Sequence, residues 1–488
     1  MTASVHRVLA QQPVTSLEEY RAAGGGQGLE EAASSGPEAV IDEIDAAGLR
    51  GRGGAGFPTG RKWRAVLGNE SVDFKASVVV NAAEGEPGSF KDRAILRANP
   101  YHVIEGAIIA ARVLDAAEVI IATKQTFERE RRVLQHAVDE VKAAGWAEGL
   151  RLQVFAGPSE YLYGEETALL ETLDGRYPFP RIAPPYRRGL EEVVEHPADL
   201  AAHSKSAAHV EMAQPEGEAP PTLASNSETF ANVPAILVNG AEWFRSVGTE
   251  QSPGTVVCTI SGCVQHAGVA ELAMGTPLRV AIEEIGGGAI DGRTLRAALS
   301  GVANPAILAD QFDVPLSYEG LRAIGAGLGS AGFILYDDTS DMVSVAAGIA
   351  RFLAVESCGQ CAACKKAGLG IADGLALLSR SHASDHDQDV LAQHLDAVTE
   401  GARCNLATQQ QVVVRSLLDN FPEVELHRER RTPSVEPEPM AALADISDGV
   451  ATIDEREARK QPDWTFDEEY SGKWPADRLD DHRAPGTL

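Results

Sequence analysis

Cysteine is scarce, with six in 488 residues. That is too few for the disulfide framework of a small secreted domain, so reduced thiols acting as ligands are expected instead. Long apolar runs are missing too. The most apolar stretch, VIEGAIIAARVLDAAEVIIAT, is broken by Glu105, Arg112, Asp115 and Glu118, short of the roughly 18 uninterrupted apolar residues of a membrane span. Positive charge is in short supply: 43 Lys and Arg against 71 Asp and Glu leave a net charge of −28. So acidic a body repels polyphosphate, which argues against a nucleic-acid partner. The opening MTASVHRVLAQQPVTS lacks the basic-then-apolar layout of a secretion signal, so a cytoplasmic location is expected, with any approach to the inner membrane made through partner subunits. No fixed-period repeat is visible.

What is present suits a globular protein of two to four domains: 44% hydrophobic and 23% charged residues over a chain this long. From about Ser77 to Arg187, short apolar runs (SVVVNAAEG, EVIIAT, LQVFAG) alternate with amphipathic stretches, the pattern of an α/β domain. Between Glu191 and Thr222 the composition turns to Ala, His, Glu and Pro, as in an exposed insertion. From Gly254 to Asp337, TVVCTISG and GFILYDD flank the helical TPLRVAIEEIG, which reads as a small α+β domain. From Thr339 to Asn420 a 3.6-residue apolar period predicts a helical bundle. The segment from Pro433 to Leu488 has fourteen acids against six bases and carries Trp464, Phe466, Tyr470 and Trp474. It reads either as a solvating tail or as a docking segment.

The strongest chemical signal is ESCGQCAACKKAG, with Cys358, Cys361 and Cys364, followed by Cys404 forty residues later. Three closely spaced thiolates and one distant one can close a 4Fe–4S site. Zinc competes, because His382, His386 and His394 lie between the third and fourth cysteines. Cys258 and Cys263 read as ordinary core residues. A second signal is AAGLRGRGGAGFPTGRKW, where Gly51, Gly53 and Gly56 satisfy G-x-G-x-x-G. A dinucleotide fingerprint must follow a strand, whereas the preceding PEAVIDEIDAAGLR is helical by pattern. The loop is therefore either a different nucleotide cradle, with Lys62 for an anionic group, or a tight structural loop. VVVNAAEGEPGSFKDR puts Asn81, Glu84 and Glu86 just beyond a strand, and GPSEYLYGEETALL puts Glu165 and Glu166 beside Gly164 at a helix start. Such carboxylates suit ribose hydroxyls or a carboxamide; the plainer reading is of surface acids.

In that order GLRGRGGAGFPTGRKW, NAAEGEPGSFKDR, YGEETALLETLDGR, PRIAPPY, SNSETFANVP and ESCGQCAAC closely resemble the flavin-bearing 51 kDa subunit of the NADH:quinone oxidoreductase of respiratory complex I. The family includes related subunits of NAD-reducing hydrogenases and formate dehydrogenases. The resemblance implies an α/β FMN- and NADH-binding domain over 1–240 with an insertion near 191–222, and a ubiquitin-like α+β SLBB domain over 241–338. A helical 4Fe–4S domain over 339–425 and an acidic tail over 426–488 would complete the chain. It also implies that Gly51, Gly53, Lys62, Asn81, Glu84, Gly164, Glu165 and Asn226 surround FMN, and that Phe57, Glu86, Glu166 and Tyr186 face NADH. Cys358, Cys361, Cys364 and Cys404 would hold the cluster. NADH would give a hydride to FMN and electrons would leave singly through the cluster, so no side chain need act as acid or base. Partners implied are a thioredoxin-like 2Fe–2S subunit and a larger electron-accepting or catalytic subunit.

The chain departs from the family in places. Ala83 stands where an acid is usual (NADE), Ala65 where a second aromatic is common, Ala183 where a lysine precedes PP, Tyr186 for Phe and Tyr163 for Cys. Losing a stacking ring and a cation costs about 1 to 3 kcal/mol of nucleotide binding. Two alternatives to an NADH-oxidising subunit follow: a flavin and cluster relay with a decayed nicotinamide site, fed by another subunit or carrier, and a non-catalytic assembly subunit whose metal is structural.

Overall fold

A computed structural model describes residues 5–69, 74–181 and 221–460. The first sheet is wholly parallel and consists of β1 (Ser77–Ala82), β2 (Glu118–Lys124), β3 (Arg151–Gly157) and β4 (Thr222–Asn226), in the order β3-β2-β1-β4. Its strands are near-continuous apolar runs because helices cover the sheet: Val78, Val80, Val119 and Ile121 are fully buried, in one core with Ile104 and Ile108 of the helix Pro100–Val113. That helix meets the helix Ser227–Asn239 so closely that a Cβ at Gly106 would stand 2.0 Å from the Phe230 carbonyl oxygen. The chain runs outward from β1 to β3 on one side and returns to the other side of β1 as β4. The strand order therefore reverses between β1 and β4, and such a reversal opens a crevice at the carboxyl ends of the two strands.

The second sheet is mixed: β5 (Thr255–Gly262), β6 (Gly268–Ala273), β7 (Leu295–Ser300), β8 (Ile307–Leu308) and β9 (Gly332–Asp337), in the order β6-β5-β9-β7-β8. Only β5 and β9 pair in parallel. The helix Leu278–Gly286 packs Leu278, Ala281, Ile282 and Ile285 into this sheet's core. The helices Met342–Val355, Ala362–Ser379, Asp385–Ala397, Leu406–Asn420 and the short Glu423–Arg428 follow, and their apolar faces share another core.

The expected tail is corrected as far as residue 460. Met440, Ala441, Ala442 and Leu443 are buried, and β10 (Leu443–Ser447) and β11 (Val450–Ile453) form a hairpin. This segment straps the three domains together. Its Leu443 carbonyl accepts from Arg93 of the α/β domain at 2.5 Å, and its Gly449 carbonyl accepts from Ala267 of the middle domain at 2.6 Å. On the helical domain, Glu436 O accepts from Ser344 Oγ at 2.6 Å and Lys460 pairs with Glu356 at 3.0 Å, both side chains of that pair being buried. The short run MAAL supplies the apolar anchor that the acidic average conceals. Trp464, Phe466, Tyr470 and Trp474, and most of the insertion expected near 191–222, lie outside the described residues. Thr222 itself opens β4.

A Cβ at Gly348 would lie 1.9 Å from the Glu438 carbonyl oxygen of the strap. In a helix interior Gly→Ala is ordinarily stabilising, so Gly348→Ala isolates the contact. It is expected to cost about 2 kcal/mol in denaturant unfolding and to speed tryptic cutting after Arg456 and Arg459. Unchanged or raised stability would show that the strap is not held there.

Candidate functional site

The crevice between β1 and β4 opens into a cavity of about 620 Å³, a size usual for cofactor sites. Its floor is set by strand register. Asn81 and Asn226 are paired partners at the ends of β1 and β4, and both line the cavity. Asn226 is fixed at both ends of its amide: Oδ1 accepts from Lys91 Nζ at 2.8 Å and caps the following helix at Glu228 N, while Nδ2 donates to Asp92 at 2.9 Å. Asn81 Nδ2 donates to the Gly164 carbonyl at 2.9 Å.

The glycine loop forms the facing wall. No strand precedes it: the helix Pro37–Ala47 ends at Gly48, and the helix Thr59–Leu67 begins immediately after Pro58. Pro58 and Gly60 argue locally against a helix here, yet one starts between them. Gly56 has φ +64, and a Cβ there would fall 2.5 Å from the ring of Tyr318, whose hydroxyl donates to the Gly51 carbonyl at 2.7 Å. Thr59, in the first turn of its helix, lines the cavity, and its buried Oγ1 has no hydrogen-bond partner among the described residues. A bare glycine loop, a helix N-terminus, an unsatisfied hydroxyl and Lys62 on that helix's first turn together make an anion cradle.

Of the residues expected around FMN and NADH, eleven line this cavity: Gly51, Gly53, Phe57, Lys62, Asn81, Glu84, Glu86, Gly164, Glu165, Glu166 and Asn226. Tyr186, and Ala183 with it, lie outside the described residues. The carboxylates are committed within the protein, which their sequence positions do not reveal. Glu84 accepts from Arg93 at 2.9 Å and from Ser89 at 2.7 Å. Glu165 caps its own helix at Ala168 N, 2.8 Å, and accepts from Thr167. Glu166 accepts from Lys62 Nζ at 2.7 and 2.9 Å. Glu86 accepts from Tyr161 Oη and from Val302 N, both at 2.6 Å. Burial pushes the Glu86 carboxyl above its usual range, against those two hydrogen bonds. Burial would lower the Lys91 ammonium, but Asp92 and Glu228 outweigh it and hold its pKa above the ordinary lysine value.

Several lining groups are not singled out by the sequence: Thr59, Lys91, Asp92, Tyr161, Tyr318 and Arg322. Lys91 and Asp92 sit in the quoted FKDR, and Tyr161 in EYLYGEE, where each could be weighed. Tyr318 and Arg322 come from the middle domain, and nothing local marks them.

Beside this cavity a smaller pocket is lined by Cys358, Cys361, Cys364 and Cys404, with no histidine among its lining residues. Cys361 stands at the N-terminus of the helix Ala362–Ser379, Cys364 in its first turn, and Cys404 just before Leu406–Asn420. Arg403 N donates to Cys361 Sγ at 3.3 Å, and Ser357 Oγ lies 3.5 Å from Cys364 Sγ. Burial raises the thiols of Cys358, Cys364 and Cys404, the last to about 11, so a metal is what would hold them as thiolates. Among the described residues no three Cys, His, Asp or Glu side chains converge as ligands of one ion. Four thiols around a shared pocket fit a cage of several atoms better than a single tetrahedral ion. Leu162, Cys404 and Leu406 line both cavities, so the two sites share a wall.

Two family models match the chain: Nuo51 FMN-binding domain over residues 44–235, and NADH-ubiquinone oxidoreductase-F iron-sulfur binding region over 344–427. Among curated relatives, the NADP-reducing hydrogenase subunit HndC of Solidesulfovibrio fructosivorans is 33% identical over 84% of this chain and 80% of its own. The F-type subunit of NADH-quinone oxidoreductase from Aquifex aeolicus is 33% identical over 85% of this chain and 92% of its own. A crystal structure of an NAD+-reducing NiFe-hydrogenase in the H2-reduced state superposes with a TM-score of 0.71 at 28% identity, covering 88% of this chain and 68% of the other.

Glu86 also gives a pH test. Its raised pKa means that the folded state disfavours the charged form, so the cost is absent below the usual carboxylate value and grows as pH rises through the raised one. Glu86→Gln apoprotein is expected to resist denaturant better than the parent at neutral pH and to match it at a pH of about 4. Equal stability at both pH values would contradict this.

Proposed function

The chain belongs to the family of F-type subunits of NADH-quinone oxidoreductase and their hydrogenase counterparts, and from that premise we propose that it is the electron-entry flavoprotein of a multi-subunit complex. In this reading it oxidises NADH in the large cavity and passes electrons to a 4Fe–4S cluster in the adjoining pocket and on to partner subunits. The observation that carries it is the shared wall: Leu162, Cys404 and Leu406 belong to both cavities. FMN, when bound, would accept one hydride, carrying two electrons, from the nicotinamide and could release those electrons singly, as a 4Fe–4S cluster held by the four cysteines requires.

The chain's own residues position and shield. Gly51 and Gly53 let backbone approach the cofactor, while Lys62 and Thr59 at the helix N-terminus take its phosphate. Asn81, Asn226 and Gly164 bound the flavin, with Glu84 and Glu165 anchoring the loops that carry them. Glu86 and Glu166 face the dinucleotide's ribose, and Phe57 offers a ring at the mouth. Cys358, Cys361, Cys364 and Cys404 hold the cluster, and the Arg403 amide steadies one sulfur. The middle domain reads as the ubiquitin-like SLBB domain. Numbered within itself its strand order is 2-1-5-3-4, with a helix across one face. A thioredoxin-like 2Fe–2S subunit and a larger catalytic subunit complete the complex. No helix among the described residues is long and apolar enough to cross a membrane, which is compatible with a cytoplasmic subunit held near the inner membrane by partners.

Reconstituted protein is expected to hold stoichiometric FMN and iron, and anaerobic NADH should bleach the flavin. Cys404→Ala should lose iron while keeping FMN and its bleaching by NADH. If dithionite bleaches the parent protein and NADH does not, the cofactors are intact but the nicotinamide site is not, and the chain is a relay fed by another subunit.

A further inference from the structure

The short turn Tyr161–Gly164 carries Leu162, which lines both cavities, and Gly164, whose carbonyl accepts from Asn81. Glu356 holds this turn: its Oε2 accepts from the Tyr161 amide at 2.8 Å, and it stands two residues before Cys358. The other oxygen, Oε1, accepts from Lys460 Nζ at 3.0 Å, and each side chain of that pair is 1% exposed. Lys460 is the end of the described strap, seated there by its own carbonyl, which accepts from Arg351 at 2.8 Å. Burial would lower the Lys460 ammonium, but Glu356 and Glu457 outweigh it. Glu457, on the strap's short helix Glu455–Ala458, is buried as well. Its counterpart is Lys124 at the end of β2. Burial pushes the Lys124 ammonium down, and of the neighbouring charges that of Glu457 does most to oppose this. Lys124 donates to the Ser159 carbonyl at 2.8 Å, and a Cβ at Gly85 would stand 2.7 Å from its Nζ. Gly85 lines the large cavity between Glu84 and Glu86. The strap thus brings one buried cation and one buried anion, each set against an opposite charge that backs the cavity from a different domain.

Removing one member of a buried ion pair leaves the other charge buried and uncompensated, and the structure around it must then give. Without Lys460 the Glu356 carboxylate is drawn toward water, and the Tyr161 amide loses its fixed acceptor. Without Glu457 the ammonium behind Gly85 loses its chief opposing charge. A third strap contact reaches the same cavity, since the Leu443 carbonyl accepts from Arg93, which holds Glu84 at 2.9 Å. We propose that Lys460 and Glu457 are positioning residues for the flavin: through Glu356 and Lys124 they keep the turn Tyr161–Gly164 and the loop Glu84–Glu86 in place, so that the strap clamps FMN in the large cavity. This inference rests on the FMN-binding reading given above.

The test titrates the full chain, carrying its cluster, with FMN and follows the quenching of flavin fluorescence. Lys460→Met is expected to weaken FMN binding about tenfold with iron content unchanged. Lys460→Arg, which keeps the charge, should recover part of the loss. In a Glu356→Gln background the same Lys460→Met change should alter FMN affinity by less than about twofold, because a neutral amide no longer needs a buried cation. An equal loss in both backgrounds overturns the proposal, since Lys460 would then not act through Glu356. So does a Lys460→Met protein that is less resistant to denaturant yet binds FMN as the parent does, because Lys460 would then only anchor the strap. If Lys460→Met yields no folded protein, Glu457→Gln carries the test: FMN binding about threefold weaker is expected, and unchanged affinity overturns the proposal. Tight FMN in the parent with no change in the variants defeats this inference alone. A parent that binds no FMN defeats the flavoprotein reading, and this inference with it.

Discussion

At Gly56 the glycine loop lies against the ring of Tyr318, with no room for a Cβ between them, and the Tyr318 hydroxyl holds the Gly51 carbonyl at 2.7 Å. This contact joins the α/β domain to the middle domain and closes the crevice that the β1/β4 strand reversal opens. Through it the middle domain adds Tyr318 and Arg322 to the lining of the cavity. The strap over residues 433–460 works to the same end, bonding all three domains so that they keep one arrangement around the cavity.

The second dependence is the position of Cys404. It stands between two helices of the bundle, lines both the cysteine pocket and the large cavity, and is joined in both by Leu162 and Leu406. Tyr161, next to Leu162, lines the large cavity and ties the wall down. Its hydroxyl donates to Glu86, its amide to Glu356 at 2.8 Å, and its ring packs edge-on against Phe352. The wall between the two sites is thus made by Leu162, Cys404 and Leu406, with the hydrogen-bonded Tyr161 beside it.

Much of this is legible in the sequence because it is local. The spacing of Cys358, Cys361 and Cys364, the bareness of Gly51 to Gly56, and the apolar runs of β1, β2 and β3 each announce themselves within a few residues. What is not legible depends on distant partners. That Glu84 is spent on Arg93 and Glu166 on Lys62 is decided by packing, as is the arrival of Tyr318 and Arg322 from a separate domain. Composition misleads at the C-terminus: an acidic average over the segment hides MAAL, whose four residues are buried.

That the two sites communicate through the wall they share is the central claim. It is tested most directly by freezing the reconstituted protein shortly after anaerobic mixing with NADH and recording its electron paramagnetic resonance spectrum. Communication through the wall predicts the signal of a reduced 4Fe–4S cluster after NADH alone, matching in part that produced by dithionite. A bleached flavin beside a cluster that stays oxidised, though dithionite reduces it, would contradict the claim.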